Sequence, residues 1–322
     1  MTATLAGPVG VIGWDISDDE WRARRSEGFG GSDIAAILGF STHRTPWEVW
    51  AEKTGVRTWA DKESQVADLG TALEPWLLDQ AAIRLDQQVR QPKFRTYAHP
   101  DHSWRRCSPD GLTDTGIVEC KTAGLMSFRA PVGWDDGATP LGYEFQCRWT
   151  LHVMDRPRID LVGLVAGMGL VHRTIVRDMA VERDMVDQVT DWHRTHIVEG
   201  VEPPIGPGDN EALARLYPRS DGTVVDLSDT DAYELQAAYL AARAEESAAK
   251  QRKEAAGAAL KALIGAHDSA TVEDHLIATW SNKKGAVDWP ALVADLVSTH
   301  SIPAPNPDVY RKPSTRSLNV KE

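Results

Sequence analysis

The chain has 322 residues, 42% of them hydrophobic, 25% charged and 7% aromatic, with a net charge of −12. This is the composition of a globular protein with one large domain, or one domain with a substantial appendage; no apolar run reaches the roughly 18 residues of a membrane span, and the first residues lack the basic and apolar regions of a signal peptide. Cys107, Cys120 and Cys147, with no Cys-x-x-Cys spacing, exclude a disulfide framework, a zinc ribbon and a four-cysteine cluster and point to a reducing cytoplasm, while the lack of any basic block excludes a protein that merely coats DNA.

The N-terminal part reads as mixed α/β. A helix is expected over residues 32–39, with Ser32 as its capping residue and Gly39 as its stop. Thr45-Pro46-Trp47-Glu48 is a capping box with proline at the first helical position, and that helix should end at Gly55. Residues 65–86 continue helical, with Val66, Leu69, Leu73 and Leu77 near helical spacing and Pro75 expected to kink or restart the segment. The period then changes. Residues 93–98, 104–107 and 116–121 are short extended runs separated by Asp, Pro and Gly. Residues 143–155 are helical again, 159–166 and 170–177 form a hairpin about Gly167-Met168-Gly169, and 179–199 is an amphipathic helix stopped by Gly200.

A Pro/Gly-rich linker over 201–208 separates a first domain, 1–205, from an extension, 206–322. The extension holds a long Ala-rich helix at about 231–266 with few large apolar residues, then a strand over 270–280, a short helix over 290–297 and a Pro-rich tail. Such a helix buries little alone, so it packs on the core, pairs with another helix or projects as an arm.

The chemistry concentrates in one stretch, Ser108-Pro109-Asp110-Gly111, followed by Glu119-Cys120-Lys121. A strand after a turn brings Asp110 and Glu119 together, and the Glu-x-Lys alternation puts Glu119 and Lys121 on one strand face, with Cys120 on the other. Two carboxylates converging with an ammonium suit a hard divalent cation, Mg²⁺ or Mn²⁺, and the chemistry of a phosphodiester. The backbone carbonyl of Cys120 could add a ligand. Upstream, Glu74 sits on a helix four residues after Gly70; downstream, Gln146 shares a helix face with Trp149, Thr150 and Val153. At the front, Arg25 precedes Gly30-Gly31-Ser32-Asp33, where small residues, a hydroxyl and free N–H groups suit a phosphate. Each feature alone has an ordinary reading: a turn aspartate with a surface ion pair, a solvated glutamate, an amphipathic helix, a plain N-cap. His99, His102 and His152 read as a polar loop and its surroundings rather than a metal pair, and Trp47, Trp50 and Trp76 as core.

In this order, the set resembles the YqaJ-type viral recombinases, relatives of phage lambda exonuclease within the PD-(D/E)XK nuclease superfamily. The match spans residues 21–155. The resemblance implies a PD-(D/E)XK core, a central mixed sheet flanked by helices, followed here by a helical C-terminal extension. It implies a 5′-to-3′ exonuclease on linear double-stranded DNA that leaves 3′ single strands for a single-strand annealing protein, in a homo-oligomer that is a trimeric ring in the best-known relative. It implies two Mg²⁺ or Mn²⁺ ions held by Glu74, Asp110, Glu119 and the Cys120 carbonyl, with Lys121 assisting the nucleophile and Gln146 supporting the site. Arg25 and Ser32 would bind the DNA 5′-phosphate, with Arg44 a weaker candidate, and a phage-encoded chain would work in the host cytoplasm. The alternatives are an endonuclease of the same superfamily and a scaffold that binds DNA ends without cutting.

Overall fold

The computed structural model describes residues 8–56, 65–124, 133–134, 137–283, 285–301, 303–312 and 316–321. The chain divides into two compact units, Met1–Leu213 and Ala214–Glu322.

In the first unit, β1 (Val9–Ile12), β2 (Thr96–Ala98) and β3 (Arg106–Cys107) form a small antiparallel sheet. The main sheet has the order β4 (Gly111–Leu112), β5 (Ile117–Ala123), β6 (Arg158–Val165), β7 (Gly169–Val176). Its β5–β6 pair is parallel and the outer pairs are antiparallel, so the sheet is mixed. A parallel pair needs a crossover, and the connection supplies it with α5 (Leu141–Met154).

The alternation of β5 and β6 sorts the core into two layers. Ile117, Ile159, Leu161 and Val165 face the layer that holds Trp149, Leu151 and Val153 of α5. Val118 and Val162 face Leu77 and Ala81 of α4 (Gln65–Leu85). α4 continues as one helix through Pro75, so the segment does not restart there. Proline removes one backbone bond there, but fully buried Leu77 and Ala81 fasten the following turns to the sheet.

Ahead of the sheet come α1 (Asp18–Arg25), α2 (Gly31–Ile37) and α3 (Pro46–Lys53). α3 begins as predicted: the Thr45 hydroxyl accepts the Glu48 N–H and the Glu48 carboxylate accepts the Thr45 N–H. α2 departs from expectation. Its N-cap is Gly30, whose N–H is accepted by Asp33 Oδ2 at 3.0 Å, and Ser32 lies within the first turn with its hydroxyl free for other partners. Gly31 is required by close packing: a Cβ there would lie 2.5 Å from the side chain of Gln146 on α5.

After β7, α6 (Met179–His193) widens into a π-helical turn, Arg194–Val198, before Gly200. Residues 206–213 belong with this unit, because buried Asp209 accepts the Thr45 hydroxyl and Ala212 is 1% exposed. The chain therefore divides eight residues beyond the predicted 205, after the start of α7 (Asn210–Leu216). Trp47 and Trp50 are buried as expected, whereas Trp76 is 41% exposed on the outer side of α4.

The second unit contains α8 (Ala232–Ile264), the antiparallel hairpin β8 (Ser269–Val272) and β9 (His275–Thr279), and α9 (Trp289–His300). The segment expected as one strand is this hairpin. Glu273 and Asp274 both take positive φ, the two-residue turn that returns the chain, without the Asn-Gly or Asp-Gly that signals it in sequence.

Candidate active site

A cleft of about 610 Å³ opens in the first unit where β5, α4, α5 and the α1–α2 turn meet. Its wall includes Glu74, Asp110, Glu119, Cys120, Lys121 and Gln146, together with Arg25 and Ser32. Every residue assigned to the site from the sequence lines this cleft except Arg44.

β5 places Glu119 and Lys121 on the α5 side of the sheet, and both are mostly covered. Lys121 Nζ pairs with Glu119 Oε1, and Gln146 Nε2 donates to the same oxygen at 2.8 Å. The lysine also sits 5.5 Å from the Tyr143 ring, one turn before Gln146 on α5. Desolvation works against charge on Lys121, but Glu119 and Asp110 outweigh it and raise its pKa. Asp110 Oδ2 accepts the Cys120 N–H at 2.7 Å, which pins the turn before β4 to the strand after it. Burial, then the charge of Glu119, pushes Asp110 well above the usual carboxylate range; the same two causes raise half-buried Glu74. The Cys120 side chain turns to the α4 layer as predicted, beside Leu77 and Val118.

Three carboxylates crowd here against one ammonium, a donor set of hard oxygens whose mutual repulsion a divalent cation would relieve. The side chains are closed on one another: Glu119 is held by Lys121 and Gln146, Asp110 by the Cys120 amide. Among the described residues no three of His, Cys, Asp and Glu stand close enough to ligate one ion in this arrangement.

The front wall is cationic. Arg25 Nη2 donates to Ser32 Oγ at 3.4 Å, and its guanidinium lies 5.0 Å from the Trp21 ring, four residues earlier on α1. Trp21 Nε1 donates to Thr96 Oγ1 at 3.3 Å, and that hydroxyl is 3.0 Å from Ser108 Oγ. Arg95, Arg106 and Lys121 complete four cations that line the cleft against three carboxylates, although the chain as a whole is acidic. Arg95, Trp21, Thr96 and Arg106 were missed in the sequence. The i, i+4 spacing of Trp21 and Arg25 was the available signal; strand β2, which brings Thr96, was visible only as an extended run.

Arg44 is turned away from the phosphate side. It is ion-paired with Asp33 and, at 2.6 Å, with Glu52. Asp33 is 1% exposed and also pairs with Lys53 at 3.1 Å. Burial opposes charge on Asp33, yet Lys53, Arg44 and Arg25 together hold its pKa below the usual value. Arg44 thus braces the glycine turn from behind. Trp149 does the same from α5: its indole N–H reaches the carbonyls of Phe29 and Arg106 at 3.2 and 2.9 Å.

His99, His102 and His152 gather more closely than a loop reading implied. His99 stacks on His152 at 5.0 Å, and His152 bridges Arg105 at 3.2 Å and Glu182 at 2.9 Å. They form a brace between α5 and α6, and line no part of the cleft.

A mixed sheet whose parallel strand carries Glu-x-Lys, with an aspartate from the preceding turn and helices on both faces, is a PD-(D/E)XK core. Residues 20–157 match the YqaJ-like viral recombinase domain. The chain is 25% identical over 309 residues to the uncharacterized protein YqaJ of Bacillus subtilis (strain 168), covering 92% of this chain and 91% of that protein. Among solved structures it is similar to the alkaline exonuclease LHK-Exo of Laribacter hongkongensis, with 22% identity, 56% of this chain and 93% of that chain covered, and a TM-score of 0.45. It is also similar to a phage related exonuclease from Haemophilus somnus 129PT, with 12% identity, 54% and 96% coverage, and a TM-score of 0.37. No helix among the described residues is long and apolar enough to cross a membrane.

Proposed function

We propose that this protein is a divalent-cation-dependent exonuclease that shortens the 5′-ended strand of linear duplex DNA, leaving 3′ single strands for a single-strand annealing protein. The observation that carries the reading is the meeting, in one cleft, of the Glu119–Lys121–Gln146 network with the Arg25–Ser32 pair. Glu74, Asp110 and Glu119, with the Cys120 carbonyl, are the residues proposed to hold the cation, Mg²⁺ or Mn²⁺ and two ions by resemblance. Bound there, it would stabilise charge on the phosphate and make a water more acidic.

The chain's own residues supply the rest. Lys121 carries a fixed positive charge beside the carboxylates, suited to orient a water or to neutralise charge building on the phosphate. Gln146 holds Glu119 in one rotamer and retains a carbonyl that can accept from a water. Arg25, with Ser32 and the first turn of α2, offers a guanidinium and hydroxyl to a terminal phosphate dianion. An end held there would be repositioned after each cleavage, which is the physical basis of end dependence.

The test is digestion of linear duplex with a 5′-phosphate, beside 5′-hydroxyl and closed circular duplex, with Mg²⁺ or with EDTA, for wild type and Lys121→Ala. The proposal expects the phosphorylated linear duplex to be shortened from its 5′ strand by wild type with Mg²⁺ only. Equal cutting of circles would make the protein an endonuclease. Binding to ends with no cutting in Mg²⁺ would make it a scaffold.

A further inference from the structure

The front wall of the cleft ends in an aromatic ring that the cleavage chemistry leaves unused. From the Arg25–Ser32 pair the wall continues as alternating guanidinium groups and indole rings. Arg25 lies 5.0 Å from the Trp21 ring, Arg95 lies 4.3 Å from that same ring, and Arg95 also lies 5.7 Å from the ring of Trp14. All four side chains line the cleft, and among its described lining residues Trp14 and Trp21 are the aromatic ones. Trp21 has two guanidinium groups against it, whereas Trp14, the last member, is 44% exposed. Its ring is nevertheless held in place. The indole N–H donates to the Pro92 carbonyl, and the Ile12 carbonyl at the end of β1 accepts the Arg95 N–H at 2.9 Å. The β1–β2 pairing thus sets ring and guanidinium side by side. β1 is the outer strand of its sheet, two strand spacings, about 10 Å, from β3, whose continuation carries Asp110.

We propose that Trp14 is a stacking platform for the 5′-terminal nucleobase of the DNA strand, unpaired from its complement while its phosphate sits at Arg25 and Ser32. This rests on the exonuclease reading above. An anchored indole that shows much of its ring to the cleft suits a base, because every base has a flat π surface to lay on it. Such a platform reads no sequence, as an enzyme that shortens a strand base by base requires. Arg95, packed against Trp14, adds a cation beside the path of the strand. Stacking the terminal base on Trp14 would favour the opened form of the last base pair, so that one strand alone runs on toward the carboxylates.

The test measures binding in Mg²⁺, by fluorescence anisotropy, of duplexes closed at one end by a labelled hairpin loop. Their open ends carry a 5′-phosphorylated terminal nucleotide that is paired, mismatched or abasic, and the full chain carries Lys121→Ala throughout to suppress cutting. Adding Trp14→Ala is expected to weaken binding of the mismatched end about tenfold and of the paired end about threefold. For the abasic end the change should stay below about twofold, and Trp14→Phe, which keeps a ring, should bind the mismatched end within about threefold of Trp14. An equal loss on the abasic end, or no loss on the mismatched end, would overturn the platform. If the chain with Lys121 in place binds these ends but cuts none, the exonuclease reading falls while the same binding comparison still decides the platform. If no end is bound, both fall.

Discussion

The two units of this chain treat their apolar residues in opposite ways. In the first, Ile117, Ile159 and Leu161 on one face of the main sheet and Val118 and Val162 on the other are all fully buried. In the second, Leu235, Leu263, Leu276 and Trp289 are each more than 60% exposed. A sheet with helices on both faces closes its own core, whereas a single long helix offers a stripe and no second layer to cover it. The lesson is that α8 owes its length to local helix propensity, its 33 residues including 13 alanines, while the first unit owes its shape to burial.

That contrast can be broken at its most sensitive point, the cleft. Lys121→Ala should lower the rate of phosphodiester cleavage on the order of 10³-fold, about 4 kcal/mol of transition-state stabilisation, with a smaller effect on duplex binding. Single-turnover cleavage beside an equilibrium binding measurement checks this. A variant that cuts within tenfold of wild type would remove Lys121 from the chemistry. The contrast between the units is tested directly by a pair of truncations. Leu77→Ala, in the packed α4 layer, should cost about 2–5 kcal/mol. Leu235→Ala, at an exposed position of α8, should stay within about 0.5 kcal/mol. Denaturant unfolding reads both, and equal costs would mean that α8 is covered at Leu235.

Much of this was legible in the sequence because it is local. The Thr45 capping box, the Glu119-x-Lys121 alternation and the hairpin about Gly167 and Gly169 follow from neighbours a few residues apart. What was not legible depends on distant partners. Ser32 looks like a cap, but Gly30 holds that position and Asp33 accepts its N–H. Arg44 looks like a phosphate ligand, but Asp33 and Glu52 claim its guanidinium. Pro75 reads as a break, but the sheet beneath Leu77 and Ala81 holds the helix together. Trp21 and Thr96 are 75 residues apart and meet only through the fold.

A smaller effect is expected at the brace between α5 and α6. Against the upward pull of burial, hydrogen bonds from Arg177 and His152 bring Glu182 down from 4.5 to about 2. A carboxylate whose folded pKa is depressed adds stability at pH values above its unfolded pKa. That contribution declines as the pH falls from about 4.5 towards 2. Glu182→Gln should therefore lower stability near pH 6 on the order of 2 kcal/mol, and the two unfolding curves should converge towards pH 2. A constant gap between them across that window would show that Glu182 acts through packing alone.

The smallest effect falls on the front wall. Arg25 reaches Ser32 at 3.4 Å, a loose contact that leaves its guanidinium directed at the cleft, whereas Arg44 is committed to two carboxylates. Arg25→Gln should therefore reduce the preference for 5′-phosphorylated over 5′-hydroxyl ends about tenfold, about 1.4 kcal/mol, with internal cleavage steps on an engaged strand less affected. Arg44→Gln should leave that preference unchanged and lower stability instead, because it strips a partner from buried Asp33. Initial rates on the two kinds of end, measured for both variants with their melting temperatures, separate a residue that holds substrate from one that holds the turn. If Arg44→Gln alone erased the preference, the phosphate would have to bind on the far side of α2, and the cleft described here would not be where the strand end sits.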